Sequence, residues 1–148
     1  MSADGSPRIA LCVARYYGDL SDKLEEGASD ALNEEGVTQI DRFEVPGAFE
    51  LPLVARYVAQ SGKYDAIIAL GAVIRGETDH YDFVCHQAAR GLQQVQLESG
   101  IPVGFGVLTV NSYHQAQARV KGGGKRDSGR AAAEAALDAL GIKQQLSS

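Results

Sequence analysis

Apolar residues recur along this chain at two alternating periods, one of strands and one of helices. Residues 9–14 (Ile-Ala-Leu-Cys-Val-Ala) form a compact apolar run with strand character. Leu20, Leu24, Ala28, Ala31 and Leu32 follow at helical spacing, and Gly36 is a natural stop. Residues 37–45 alternate and predict a strand ended by Pro46-Gly47. Phe49, Leu53, Val54, Tyr57 and Val58 give the apolar stripe of a second helix, closed by Gly62. Residues 66–70 are wholly apolar, the pattern of a strand buried on both faces of a parallel sheet. A loop over 71–77 leads into a long helix capped by Thr78 or Asp79. Its predicted inner face is Phe83, Val84, Ala88, Leu92 and Val95, and Gly100 ends it. Residues 102–110 predict another strand. Ser112 caps a short helix to about Arg119, a basic glycine-rich loop covers 121–126, and an alanine-rich helix covers 131–140.

Strands alternating with helices in the order β-α-β-α-β-α-β-α-α imply a parallel sheet with helices on both faces. The predicted fold class is α/β: a three-layer α/β/α sandwich around a four-stranded, mainly parallel sheet. Residues 1–7 are a small polar tail, expected to be mobile. Residues 8–148 form one domain, with no repeat, low-complexity tract or linker to divide it.

The composition narrows the class. A chain of 148 residues fits one domain and buries roughly 68–70% of its unfolded surface, so no disulfide or metal is needed to hold a core. Hydrophobic residues at 45% and charged residues at 22% exclude a disordered chain and a coiled coil. Fourteen basic against nineteen acidic residues leave a formal charge of −5, which argues against a general affinity for nucleic acid or anionic membrane. A local basic cluster at 119–130 is the exception. Cys12 and Cys85 lie in apolar surroundings and read as free thiols in preference to a disulfide. The longest apolar run, 66–74, is far below the roughly 18 residues of a membrane span, and no signal-peptide pattern precedes it. These features predict a soluble, cytoplasmic protein.

In open parallel sheets, ligands bind at the carboxyl ends of the strands. Four segments leave strands there: Arg15-Tyr16-Tyr17, and residues 46–50, 71–80 and 110–112. The most informative is Gly71-Ala-Val-Ile-Arg-Gly-Glu-Thr-Asp-His80. Two glycines bracket a loop that ends on a helix N-terminus, where free N–H groups and the dipole favour a phosphate. His80 falls in the first helical turn, where the same dipole favours the neutral ring. It reads as a general base or as a surface histidine. Asp79, Asp82 and His86 share a helix face, which reads as solvated in preference to metal-binding because no second ligand cluster accompanies it. Lys121-Gly-Gly-Gly-Lys-Arg126 is not a Walker loop, since Arg126 stands where that motif needs Ser or Thr. With Arg119 and Arg130 it is either an anion site or an ordinary basic loop. Gly104-Phe-Gly106 lies inside a strand and is no dinucleotide fingerprint. Phe49 and Glu50 read either as a core ring and a dipole partner or as a ring and a carboxylate facing a polar ligand.

Together these segments resemble the lumazine synthase family, from about Arg8 to Leu140. The blocks that carry the resemblance are Arg15-Tyr16, Val45-Pro-Gly-Ala-Phe-Glu-Leu-Pro52, the run from Gly71 to Cys85, and Ile101-Pro-Val-Gly-Phe-Gly-Val-Leu-Thr109. The resemblance implies a flavodoxin-like fold. It also implies condensation of 5-amino-6-(D-ribitylamino)uracil with 3,4-dihydroxy-2-butanone 4-phosphate. The products are 6,7-dimethyl-8-ribityllumazine, phosphate and water, in the penultimate step of riboflavin biosynthesis. The implied steps are imine formation, phosphate elimination, ring closure and dehydration, with no metal and no organic cofactor. Tyr16 falls on the aromatic that stacks on the pyrimidine. Ala48, Phe49 and Glu50 fall on the pyrimidine and ribityl segment, and Ala72, Val73 and Ile74 on the strand end that reads the pyrimidine. Glu77 and Thr78 fall on the phosphate-binding turn, and His80 on the proton-transfer histidine. Phe105 and Arg119 fall on the aromatic and the phosphate-binding arginine that a neighbouring subunit contributes.

The chain departs from the family pattern at three places. Tyr16 stands where Phe or Trp is usual, Glu77 places a charge beside the phosphate turn, and the basic loop after Arg119 is one residue longer. The family's second lysine has no clear equivalent there, and Lys125, Arg126 or Arg130 is left to replace its charge. The resemblance implies a homo-oligomer, with riboflavin synthase as a possible partner. A short N-terminal segment carrying Pro7, which cannot donate to a strand ladder, points to a pentamer over a decamer or a sixty-subunit shell. The alternatives are a non-catalytic flavin- or lumazine-binding or container protein on the same fold, and an unrelated flavodoxin-like binding domain.

Overall fold

The computed structural model describes residues 5–147, so residues 1–4 of the tail assigned to 1–7 lie outside the described residues. The elements run β1 (Arg8–Ala14), α1 (Gly18–Glu34), β2 (Gln39–Val45), a 3-10 turn (Ala48–Glu50), α2 (Leu51–Ser61), β3 (Ala66–Ile74), α3 (His80–Ser99), β4 (Val103–Val110), α4 (Tyr113–Ala118) and α5 (Ser128–Ser147). The strands form one sheet in the order β2-β1-β3-β4. Every pairing is parallel, as in Leu11 opposite Ile68 and Ile68 opposite Gly104. The fold is the α/β sandwich that the alternation of elements predicts.

The apolar run of β1 feeds two cores because successive side chains point to opposite faces. Ile9, Leu11 and Val13 belong to the core that α1 and α5 cover, while Ala10, Cys12 and Ala14 belong to the core that α2 and α3 cover. Close approach between layers depends on glycine. A side chain at Gly129 would put its first carbon 2.0 Å from the Leu24 carbonyl, so α5 sits directly on α1.

Four local expectations are corrected. The segment 71–77 is not all loop: β3 runs on to Ile74, because Gly71, Ala72, Val73 and Ile74 pair with Val107 through Val110 of β4. Gly71 is a packing glycine there, since a Cβ would lie 2.9 Å from that of Ala14. Phe83 is not on the inner face of α3 but is 67% exposed, and Val84, Ala88, Leu92 and Val95 alone of that set are buried. On α2 the buried stripe is Leu51, Ala55 and Val58, while Leu53 and Tyr57 are exposed, as is Phe49 in the 3-10 turn before it. This helix carries two apolar stripes, and the one with the small Ala55 lets it lie close to the sheet. α5 is also longer than predicted at both ends. Asp127 Oδ1 accepts the Arg130 N–H at 3.1 Å and starts it early.

The cysteines are free thiols. Burial pushes the Cys12 thiol up to about 12 from an ordinary value of 9.0. The unfolded chain therefore releases this proton first. Stability from the buried neutral thiol is whole below about pH 9 and falls as pH rises toward 12. A Cys12→Ala variant is expected to lose stability less steeply across that window, measured by denaturant unfolding. In the folded protein a thiol reagent should reach half-buried Cys85 and leave Cys12 untouched until denaturant is added. Two rapidly reacting thiols would contradict the packing.

Candidate active site

The carboxyl ends of β1, β2 and β3 open onto a cavity of about 390 Å³. Each strand delivers its part of the wall by a different local device. After β1, the buried Ser21 hydroxyl donates to the Ala14 carbonyl and the Ser21 N–H to the Tyr17 carbonyl, so the turn carrying Tyr16 and Tyr17 is pinned to α1. Tyr16 is 75% exposed at the rim and meets Tyr17 edge to face, with ring centroids 4.8 Å apart. Burial, and then the neighbouring Tyr16, push the Tyr17 phenol above its ordinary range, so it stays a hydrogen-bond donor.

After β2, Pro46-Gly47 turns the chain into the short 3-10 segment. Glu50 Oε1 accepts the Gly47 N–H at 2.9 Å, closing that turn on itself. Glu50 thus serves the backbone and also lines the cavity. Ala48 is buried there, and Phe49 is exposed at the opening.

After β3, residues 75–79 lead to α3. Asp79 takes the N-cap position without a side-chain bond, while Thr78 Oγ1 accepts the His80 N–H at 3.3 Å. The positive end of a 20-residue helix faces the cavity beside Thr78. His80 is the first residue of α3, exposed to solvent on the cavity wall. Tyr81 follows it into the wall. Burial and the adjacent Cys85 hold the Tyr81 phenol above its ordinary range, with a hydrogen bond to Thr109 and then the Arg75 guanidinium opposing them.

The structure therefore gathers Tyr16, Ala48, Phe49, Glu50, Ala72, Val73, Ile74, Thr78 and His80 around one cavity. Glu77 is exposed on the turn and is not part of the wall. Phe105 and Arg119 are elsewhere. Phe105 is 46% exposed on β4 and lines a separate groove with Gln96, Val103 and Arg126. Arg119 follows α4, its Nη1 donating to the Gln115 carbonyl at 2.9 Å. Sequence reasoning missed Tyr17, Tyr81 and Val84 as wall residues. Their adjacency to Tyr16 and His80 was the available signal.

The basic loop is partly neutralised. Lys121 Nζ lies 2.7 Å from Asp30, and Arg130 pairs with Glu34 and Glu134. Among the described residues, no group of His, Cys, Asp and Glu could hold a metal ion, and no helix is long and apolar enough to cross a membrane.

A flavodoxin-like sandwich whose site lies at the strand ends, walled by rings, a carboxylate and a histidine, belongs to the class of α/β proteins that bind a small polar ligand there. The sequence profile of the 6,7-dimethyl-8-ribityllumazine synthase family matches residues 6–144. The 6,7-dimethyl-8-ribityllumazine synthase of Kineococcus radiotolerans is 45% identical over 150 residues, covering 95% of this chain and 92% of its own. That of Thermococcus kodakarensis is 44% identical, covering 94% and 88%. That of Desulfatibacillum aliphaticivorans is 50% identical over 129 residues, covering 84% and 83%. This chain belongs to the 6,7-dimethyl-8-ribityllumazine synthase family.

Proposed function

We propose that this chain condenses 5-amino-6-(D-ribitylamino)uracil with 3,4-dihydroxy-2-butanone 4-phosphate at the cavity above β1, β2 and β3. The products are 6,7-dimethyl-8-ribityllumazine, phosphate and water. The observation that carries the reading is that Tyr16, Glu50, Thr78 and His80, from three separate stretches of the sequence, line one cavity. Tyr16 and Phe49 offer rings for the pyrimidine. Glu50 commits Oε1 to the Gly47 N–H, leaving Oε2 to accept ribityl hydroxyls. Ala72, Val73 and Ile74 form the side toward the pyrimidine. Thr78, with the Glu77 backbone and the start of α3, takes the phosphate. His80 moves protons during imine formation and elimination, while most of the acceleration comes from holding two substrates together.

Phe105 and Arg119 enter the site of a neighbouring subunit in a pentamer, with Arg119 on the phosphate. Their absence from the cavity wall of their own chain supports that division. Of the basic residues open to replace the family's second lysine, Arg130 is taken up by Glu34 and Glu134, leaving Lys125 and Arg126. The protein works in the cytoplasm without a metal or organic cofactor, and riboflavin synthase is a candidate partner.

The test is a turnover assay that follows lumazine absorbance against the uncatalysed reaction. Acceleration is the expected result. No acceleration together with tight lumazine or riboflavin binding would replace this reading with that of a binding or container protein.

A further inference from the structure

Arg75 stands where three parts of the site region meet. Its N–H donates to the Val110 carbonyl at 2.9 Å, continuing the β3–β4 ladder past Ile74. Its Nε donates to Asn111 Oδ1 at 3.1 Å. Its Nη2 lies 3.5 Å from Asp82 Oδ1, and the guanidinium carbon sits 4.3 Å from the centroid of the Tyr81 ring. Asn111 is itself held. Its N–H donates to Gln115 Oε1 at 2.7 Å, and the Gln115 N–H donates to Ser112 Oγ at 3.1 Å at the start of α4.

One side chain therefore joins the first turn of α3 to the end of β4 and the start of α4. It also closes residues 76–79 into a loop, since the residue before them grips Tyr81 and Asp82 after them. Gly76 and Thr78 of that loop line the cavity together with His80. Among the described residues, the bonds that hold the turn are few: Thr78 Oγ1 to the His80 N–H, and the first helical bonds back to the Asp79 carbonyl. The Arg75 contacts, together with the hydrogen bond between the Tyr81 side chain and Thr109 of β4, tie the start of α3 to the sheet.

We propose that Arg75 is a positioning residue, which sets the 76–79 turn and His80 against the cavity by gripping Tyr81, Asp82 and Asn111 without touching substrate. The proposal rests on reading that cavity as the condensation site. Its physical basis is the planar guanidinium, which bonds in two directions in its plane while stacking on a ring, a combination lysine cannot reproduce. Asp82 partly neutralises the charge, so geometry rather than long-range attraction is the contribution.

The experiment compares the intact protein with Arg75→Gln, Arg75→Lys and Asn111→Ala, each checked by circular dichroism and thermal melting. Asn111→Ala leaves every charge in place and keeps the backbone N–H that Gln115 holds. Arg75→Gln and Asn111→Ala are expected to lower kcat about tenfold or more, since misplacement near 1 Å can cost about a hundredfold. Product binding should stay near wild type, and Arg75→Lys should recover only part of kcat. Amide exchange should quicken over residues 76–82 in both Arg75→Gln and Asn111→Ala and remain unchanged in β1.

Wild-type kcat and exchange in Asn111→Ala would overturn the proposal. So would full recovery by Arg75→Lys, which would make Arg75 a charge for the phosphate. A wild-type protein without turnover removes the functional reading instead, and the grip then stands or falls on the exchange data alone.

Discussion

Replacing His80 by alanine is expected to lower kcat by about 10²–10⁴-fold, the usual contribution of a positioned general acid or base. Product affinity should barely change. His80 is an exposed side chain on the first residue of α3, so its removal opens no core cavity. Its backbone N–H, which Thr78 Oγ1 holds, survives in alanine, and alanine is at ease in a helix. The walls that bind the pyrimidine and ribityl chain come from Tyr16, residues 47–50 and the end of β3, and none of them leans on the imidazole in the hydrogen bonds of the fold. The two readouts are lumazine absorbance for turnover and quenching of lumazine fluorescence for binding. A parallel collapse of both would assign His80 to ligand binding and leave proton transfer to another group. Unchanged turnover would remove it from the mechanism.

The second large effect is expected at Arg119. A hydrogen bond between charged groups is worth about 1.5–3 kcal/mol, so Arg119→Ala should raise the KM for the butanone phosphate roughly 10- to 150-fold. The KM for the pyrimidine should stay near wild type. Arg119 commits Nη1 to the Gln115 carbonyl, which holds the guanidinium against α4 and leaves its other N–H groups for an anion. Because Arg119 does not line the cavity of its own chain, the test includes mixing. His80→Ala and Arg119→Ala chains, unfolded together, refolded and assayed with the butanone phosphate well below its wild-type KM, should recover activity at roughly a quarter of the sites, where an intact His80 faces a neighbour's intact Arg119. Mixed chains no better than either variant alone would show that sites are not shared in this way. An unaltered KM in Arg119→Ala would shift the phosphate to Lys125 or Arg126.

Much of this was legible along the chain. The strand run at 9–14 is apolar without interruption and that at 102–110 is apolar but for its glycines and Thr109, and the helices are bounded by Gly36, Gly62 and Gly100, all of which have positive φ. Ser112 caps α4 as its position predicts, its Oγ accepting the Gln115 N–H. Part of the cavity wall was legible too: converging strand ends pointed to the segments that form it, and the family resemblance pointed to Ala48, Ala72, Val73 and Ile74, while Tyr17, Tyr81 and Val84 were not singled out.

Other features were hidden for identifiable reasons. Gly71 reads as a break, yet it continues β3 because β4 is long enough to pair with it and Ala14 leaves no room for a side chain. Phe83 and Tyr57 look like core residues by type, but each lies off the stripe that meets the sheet. Arg130 and Lys121 look like free cations, but α1 brings Glu34 to Arg130 on α5 and Asp30 to Lys121 in the loop before it. Arg75 looks like one more polar loop residue until the fold sets Asn111 and Tyr81 on either side of it.

By itself, then, the sequence determined the elements, their α/β class, and the residue types at each strand end. These depend on periodicity and on near neighbours in the chain, which every segment carries with it. Only the tertiary structure decided the β2-β1-β3-β4 order, the length of β3, the face each helix buries and the partner each charge takes. Those outcomes depend on surfaces that become neighbours only when segments dozens of residues apart are packed together, and on which of several local options that packing leaves open.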